Sequence, residues 1–336
     1  MTKQARISYW FIFVTMILVG WLHLATPLLT TLFAYFVLHK LSFGTKRKWL
    51  PVSLFVIVVI GITYGLAHFT NQALKALPKI AETTIPSIID WAEERGIDLP
   101  FTDFQSLKAE AMTAVREVKN IGNVANLAKI ATAQLVFLVI GCVVAMSLFF
   151  NAQVVLDRGA HPVNNLYAAC ADEIAGRFRS LYRSFVTVMG AQILISAINT
   201  TLTSIYVFAV SLPHAMVVIG VTFFAGLLPI LGNLISNTII VSISFTISPK
   251  MAVAALVFLV VIHKLEYFLN SKIIGDRIKN PIWLTLLGLI LGEKLMGVPG
   301  MILAPVILNY LKVEASKFDV PGKPGESPDA SLQAPE

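Results

Sequence analysis

A carboxylate and an imidazole at the end of a long apolar stretch are the residues of this sequence best suited to chemistry. His263 and Glu266 lie one helical turn apart after an apolar run of helical length, and Asn270 follows them. Ionisable residues in so apolar a context are costly to bury, and they typically bind a cation, relay protons or pair with another charge. Glu266, with His263 beside it, is therefore a candidate proton or cation site. The alternative is an interfacial position, with Glu266 paired to Lys264 or Arg277.

A line of polar residues follows one face of the apolar run 185–210. Gln192, Ser196, Asn199 and Thr203 are separated by four, three and four residues, which puts all of them on one side of a helix. Inside a membrane, such a line either hydrogen-bonds a neighbouring helix or borders a polar pathway. Both interpretations remain open on the sequence, and Gln192 and Asn199 are candidate pathway residues.

A break containing glycine and proline interrupts the apolar region that follows. The runs 215–228 and 234–247 are shorter than the roughly 20 residues that a helix needs to cross a hydrocarbon core about 30 Å thick. Such pairs are typical of broken or re-entrant membrane helices, whose freed backbone groups face protein or a watery cavity. Candidate pathway residues at this break are Pro229, Gly232, Asn233 and Asn237. The asparagine amides could contact a polar solute or coordinate a cation.

A second helical break is predicted nearer the end of the chain. The short apolar runs 282–291 and 301–311 are joined by the segment 292–300, in which Glu293, Lys294, Pro299 and Gly300 are further pathway candidates. If this hairpin re-enters, Glu293 and Lys294 lie at membrane depth and can pair with each other. If it spans, they are ordinary charges of an outer loop.

The composition identifies an integral membrane protein. Of the 336 residues, 56% are hydrophobic and 13% are charged, whereas soluble domains carry about 25% charged residues; the mean hydropathy is +0.76. The net charge of +7 is typical of cytoplasmic loops that face anionic lipid, rather than of nucleic-acid binding. We therefore predict an all-α, multi-pass fold with about six to eight passages. Its expected partner is the lipid bilayer and not nucleic acid.

The basic loops and one long polar segment indicate how the chain is organised. Basic residues within 39–48 and 177–183 mark the cytoplasmic side, so both termini are expected there and the two hairpins enter from opposite faces. Amphipathic helices separated at Pro78 and Pro86 are expected on the outer side, unless they simply extend the flanking spans. The predicted units are membrane runs in 1–69, an outer segment 70–132, a span 133–150, a cytoplasmic amphipathic helix within 151–184 along the interface, a transport core 185–314 and a disordered tail 315–336.

Three stretches of the sequence resemble the autoinducer-2 exporter family of bacterial transporters. They are GLLPILG at 226–232, Leu265-Glu266-Tyr267 with IIGDR at 273–277 and NP at 280–281, and GVPGMILAP at 297–305. With the order of the spans, the resemblance covers nearly all of residues 1–315. It implies a permease-like protein of the bacterial inner membrane, linked to export of autoinducer-2 or to sodium/proton antiport. It also implies a homo-oligomer.

No enzyme active site or cofactor site is indicated. The sequence contains no H-E-x-x-H, G-x-G-x-x-G or Walker A motif, and Cys142 and Cys170 are not spaced as metal ligands. We therefore expect no enzymatic activity, cofactor or metal site. The leading hypothesis is a secondary transporter or facilitator that moves a small polar solute, a monovalent cation or protons, with efflux or antiport as its mode. The alternative is a membrane scaffold that does not transport and recruits partners through its outer or cytoplasmic helices.

Overall fold

The computed structural model describes residues 2–45, 47–94, 96, 109, 113, 124–151, 165–228, 231–274 and 281–318. These residues are almost entirely helical and include no strand, which confirms the predicted all-α class for this part of the chain. Much of the predicted outer segment, the first part of the predicted cytoplasmic helix and most of the predicted tail lie outside the described residues.

Nine helices are present within the described ranges. They are α1 (Lys3–Trp21), α2 (Ala25–Leu41), α3 (Trp49–Glu94), α4 (Val124–Phe150), α5 (Leu166–Ala209), α6 (Ala215–Ala225), α7 (Leu231–Ile247), α8 (Pro249–Ile274) and α9 (Ile282–Ala315). By length and composition, α1, α3, α5 and α9 could cross a membrane, and α4, α6 and α7 contain shorter apolar stretches. The predicted multi-pass membrane protein is therefore confirmed. Many large apolar side chains of α1 and α3 are exposed, as helices in contact with lipid require.

Helix α9 consists of two antiparallel arms. Its backbone leaves the helical region at Gly297, where φ is 65° and ψ is −151°. A Cβ placed on Gly300 would lie 2.0 Å from the carbonyl oxygen of Gly292, although residues eight apart in a straight helix are separated by about 12 Å. The chain therefore folds back within the segment 292–300. The length that would let α9 cross a membrane is therefore divided between two arms.

Helix α3 is longer than the span predicted from its apolar run. It continues through residue 94, so Pro78 and Pro86 lie inside it instead of separating outer helices. One face of this extension is buried with residues of α6 and α7, through Ala73, Ala76 and Ile80. That packing outweighs the hydrogen bond that each proline removes. Residues 70–94 thus continue the same helix and do not form separate helices.

Helix α5 corrects the prediction of a separate cytoplasmic helix along the interface. Residues 166–184 and the span that follows form one 44-residue helix without a break at 184. The end of its apolar stripe is covered by protein, because Leu181 and Phe185 are buried in a cluster with residues of α1, α2 and α9, whereas Leu166 and Phe178 nearer its start stay exposed. At this end of the stripe the amphipathic pattern therefore reflects packing against neighbouring helices.

The two ends of the bundle differ in charge and in the helices that meet there. At one, which we call the basic end, α5 contacts the start of α1 and the end of α9, and Lys48 Nζ donates to the Phe150 carbonyl oxygen (2.7 Å). We call the other the opposite end. There, α6, α7 and α8 pack with the middle of α3 and the end of α5 around Val207 and Ile243. The basic end carries Lys40, Lys48, Arg177, Arg179, Arg183 and Lys317.

A buried ion pair ties three helices together at the basic end. Arg177 of α5 is 9% exposed, and its guanidinium donates to Glu314 of α9 and to Glu173 (3.0 Å). The hydroxyl of Tyr9 in α1 donates to the same Glu314 carboxylate (2.9 Å), and the Tyr9 ring lies 4.1 Å from the guanidinium carbon. Lys317 pairs with the other oxygen of the Glu314 carboxylate. Because Arg177 and Glu314 are both largely removed from water, their compensation depends on this network of charges.

Arg177→Ala is expected to destabilise the folded protein, because Glu314 would stay buried with only the half-exposed Lys317 as a cationic partner among the described residues. Removing one partner of a buried pair costs about 3–5 kcal/mol, so the midpoint of thermal unfolding in detergent should fall by roughly 5–10 °C. Arg179→Ala is the matched control, since Arg179 is exposed on the same helix, and it should leave the midpoint nearly unchanged. Equal midpoints for the two variants would contradict the structural role of the pair.

Candidate functional site

The turn between α6 and α7 is held by the polar face of α5. Gln192 Nε2 donates to the Gly226 carbonyl oxygen (2.6 Å), and Ser196 Oγ donates to the Phe223 carbonyl oxygen (2.7 Å). Carbonyl groups at the end of a helix lack an intrahelical donor, and in an apolar environment they need another partner. These two residues of the polar line therefore stabilise the broken hairpin.

Two glycines allow this turn to close tightly. A Cβ on Gly226 would lie 2.6 Å from Ser196 Oγ, and a Cβ on Gly232 would lie 2.0 Å from the Ala225 carbonyl oxygen. The second contact is with backbone, which cannot rotate away as a side chain can. A larger residue at position 232 must therefore push α7 away from α6. Gly232 thus determines where the next residue, Asn233, is positioned.

The carboxylate of Glu266 is the point at which three helices converge. Its Oε2 accepts hydrogen bonds from Asn199 Nδ2 of α5 (2.9 Å) and from Asn233 Nδ2 of α7 (2.7 Å), while Glu266 itself belongs to α8. The side chain is half-buried. An ionised carboxylate has only acceptors, and the two amides provide donors that match it. Helix α7 is positioned by the hairpin turn, so the carboxylate and the break form one site.

One atom beside this carboxylate has no partner. Asn199 is 7% exposed, and its Oδ1 is buried without a hydrogen bond among the described residues. A buried carbonyl oxygen without a donor costs about 1–3 kcal/mol, so such atoms often indicate an ion, a water molecule or a ligand. Carboxylate and amide oxygens are ligands that hard cations prefer. The site can therefore offer oxygen ligands to a cation, or a carboxylate to a proton.

The site lies deep within the bundle when position is measured along α5. Phe185 belongs to the cluster shared with α1, α2 and α9, and Val207 belongs to the cluster at the opposite end. At 1.5 Å per residue these two are about 33 Å apart, and Ser196 is about halfway between them. Because both outer ends of the α6–α7 hairpin pack around Val207, this hairpin extends from the opposite end and turns back near the middle of α5.

Not all of the predicted pathway residues gather at this carboxylate. Those that do are Gln192, Asn199, Gly232, Asn233 and Glu266. Asn237 is half-buried one turn farther along α7. His263 is exposed one turn before Glu266, whose described hydrogen bonds do not include it. Pro229 and the side chain of Asn270 lie outside the described residues.

The remaining candidates belong to the α9 hairpin. Glu293 and Lys294 pair with each other (3.3 Å) while their side chains are 47% and 76% exposed, respectively. Gly300 packs against Gly292 at the fold, and Pro299 lies two residues after the break at Gly297. These residues shape the second hairpin, and none of their described contacts is with Glu266.

Sequence reasoning missed two sets of functional groups. Ser196 was noted in the polar line but was not chosen as a site residue, although its spacing was the available signal. The Arg177–Glu314 pair was not predicted. Its signal is weaker: an arginine beside an apolar stripe and a carboxylate at the end of an apolar run, 137 residues apart.

Gly232→Ala is expected to disturb the site without touching any polar group. The added methyl would meet the Ala225 carbonyl oxygen, and overpacking of this kind costs about 1–3 kcal/mol. The unfolding midpoint in detergent should fall, and transport in proteoliposomes should fall with it. Gly190→Ala is the control, because a Cβ there meets nothing within 4 Å; a similar loss in both variants would argue against a tight turn at 232.

Two comparisons connect this arrangement with known proteins. A family model described as "AI-2E family transporter" matches residues 2–316. The "Putative transport protein YdbI" of Bacillus subtilis (strain 168) is 32% identical over 142 residues, a match that spans 42% of this chain and 41% of that protein. The resemblance drawn from the motifs is thereby confirmed. The chain belongs to the AI-2E family of transporters.

Proposed function

We propose that this protein is a secondary transporter or facilitator whose pathway passes the Glu266 carboxylate. The observation that carries the proposal is the convergence of Asn199, Asn233 and Glu266 at the turn of a broken hairpin, beside an amide oxygen that has no partner among the described residues. A polar cluster of this kind is costly within an apolar bundle, and such clusters are typical of substrate or ion sites. Broken helices supply the backbone groups of many transporter sites.

In this proposal both hairpins are re-entrant and enter from opposite faces of the membrane. Support comes from the α6–α7 turn, which contacts the middle of α5, and from the fold of α9 at Gly297. The second arm of α9 runs back towards the basic end, where Glu314 meets Arg177. We take the basic end as cytoplasmic under the positive-inside rule, with both termini on that side of a bacterial inner membrane.

The substrate class that fits the site is a small polar solute, exported in exchange for protons or a monovalent cation. A proton on Glu266 would remove the charge that the two asparagine amides now contact. A sodium ion could instead be bound by Glu266 and by the free Oδ1 of Asn199. Autoinducer-2 is such a polar solute, and sodium/proton antiport would use the same carboxylate. A homo-oligomer is compatible with the exposed apolar faces of the outer helices.

Glu266→Gln is expected to abolish ion-coupled transport while the protein stays folded. Glutamine keeps the size and one acceptor oxygen but cannot be ionised, so sodium-driven proton movement in proteoliposomes should fall at least tenfold. Glu293→Gln is the control, since Glu293 is a carboxylate in an exposed ion pair, and it should keep most of the activity. Unchanged pH and sodium dependence in the Glu266→Gln protein would rule out this residue as the coupling group.

Solvent access distinguishes a transporter from a scaffold. In a background lacking Cys142 and Cys170, Asn237→Cys should react with a membrane-impermeant thiol reagent, and its labelling should change with sodium or pH. Val306→Cys is the control, because Val306 is fully buried in the cluster that α9 forms with α1, α2 and α5, and it should remain unlabelled. If Asn237→Cys stays silent in folded protein under every condition, the scaffold interpretation is favoured.

A further inference from the structure

A cavity at the basic end combines positive charge with apolar walls. It has a volume of about 570 Å³ and lies between the last turns of α2, the loop that follows it and the first half of α5. Lys40 and Arg183 contribute positive charge, and His39 and Ser42 add polar groups. Phe36, Tyr182 and Val186 form the apolar part of the lining. None of these residues belongs to the site around Glu266.

The two cations of this cavity have no acidic partner. Neither Lys40 nor Arg183 forms an ion pair among the described residues, and the cavity lining contains no carboxylate. Arg177, two turns earlier on α5, differs because it is neutralised by Glu173 and Glu314. A pair of uncompensated cations on facing helices attracts an anion and raises its local concentration.

The loop beside these cations presents an aromatic side chain at a conformational cost. Phe43 is 84% exposed and has a left-handed backbone (φ 40°), followed by Gly44 with φ 72°. A non-glycine residue in this region is strained, and such strain often accompanies a functional position. Phe43 thus adds an apolar surface at the mouth of a positively charged cavity.

We propose that this cavity binds an anionic phospholipid. The phosphodiester lies between Lys40 and Arg183, and an acyl chain follows the apolar wall of Phe36, Tyr182 and Val186. A soluble phosphate would use the cations but not the wall, whereas a phospholipid uses both. The position at the basic end of a membrane protein also favours lipid, because anionic headgroups attract Lys and Arg at the membrane surface.

The test is lipid binding to the full-length, delipidated protein in detergent, followed by native mass spectrometry. Phosphatidylglycerol should bind and phosphatidylcholine should bind at least tenfold more weakly. Lys40→Gln/Arg183→Gln should lose at least tenfold in affinity for phosphatidylglycerol, and each single variant should lose part of it. Both residues are exposed and form no ion pair with any residue that the structure describes, so the unfolding midpoint should not change.

Two controls determine whether the site and its ligand are correctly assigned. Arg179→Gln/Lys312→Gln removes two charges of the basic end outside the cavity and should keep wild-type binding. An equal loss of phosphatidylglycerol affinity in this variant would mean that binding depends only on net charge, and it would overturn the proposal. Glycerol 3-phosphate, which has the phosphate but no acyl chain, should not displace the lipid at millimolar concentration. Efficient displacement would assign the cavity to a soluble phosphate compound instead of a phospholipid.

Discussion

The structure depends on how the backbone of a broken helix is satisfied inside an apolar bundle. The turn between α6 and α7 leaves the Phe223 and Gly226 carbonyl groups without helical partners, and each such group would cost several kcal/mol in hydrocarbon. Ser196 and Gln192 of α5 supply the missing donors. The same contacts fix the start of α7, which brings Asn233 to Glu266. The hydrogen bonds that make the break tolerable therefore also assemble the polar site.

The two polar clusters of the bundle differ in how completely their groups are paired. At the basic end, Arg177 and Glu314 are surrounded by mutual hydrogen bonds and by Tyr9, an arrangement that holds α1, α5 and α9 together. At Glu266, the amides of Asn199 and Asn233 both donate to one carboxylate oxygen, and Asn199 Oδ1 has no hydrogen-bond partner among the described residues. A saturated network rigidifies, whereas an incomplete one retains capacity for an ion or a ligand. This difference separates a structural cluster from a candidate transport site.

The polar line of α5 shows how far pattern reasoning extends. Its spacing correctly put four polar residues on one face, yet it could not choose between helix packing and a pathway. In the structure the line is divided: Gln192 and Ser196 hold the hairpin turn, and Asn199 contacts Glu266. Helix ends were harder to predict. The continuity of α3 through Pro78 and Pro86 and of α5 past residue 184 depends on burial against helices distant in sequence.

By itself, the sequence determined the all-α membrane class, the two glycine and proline breaks, the presence of Glu266 as a rare carboxylate in an apolar region, and the family. These features follow from composition and from the short-range periodicity of one helix at a time. Only the tertiary structure decided which amides meet the carboxylate, which glycines must be glycine, and that Arg177 pairs with Glu314. The polar contacts among them join residues separated by 33 to 137 positions, and their geometry exists only after the helices have packed.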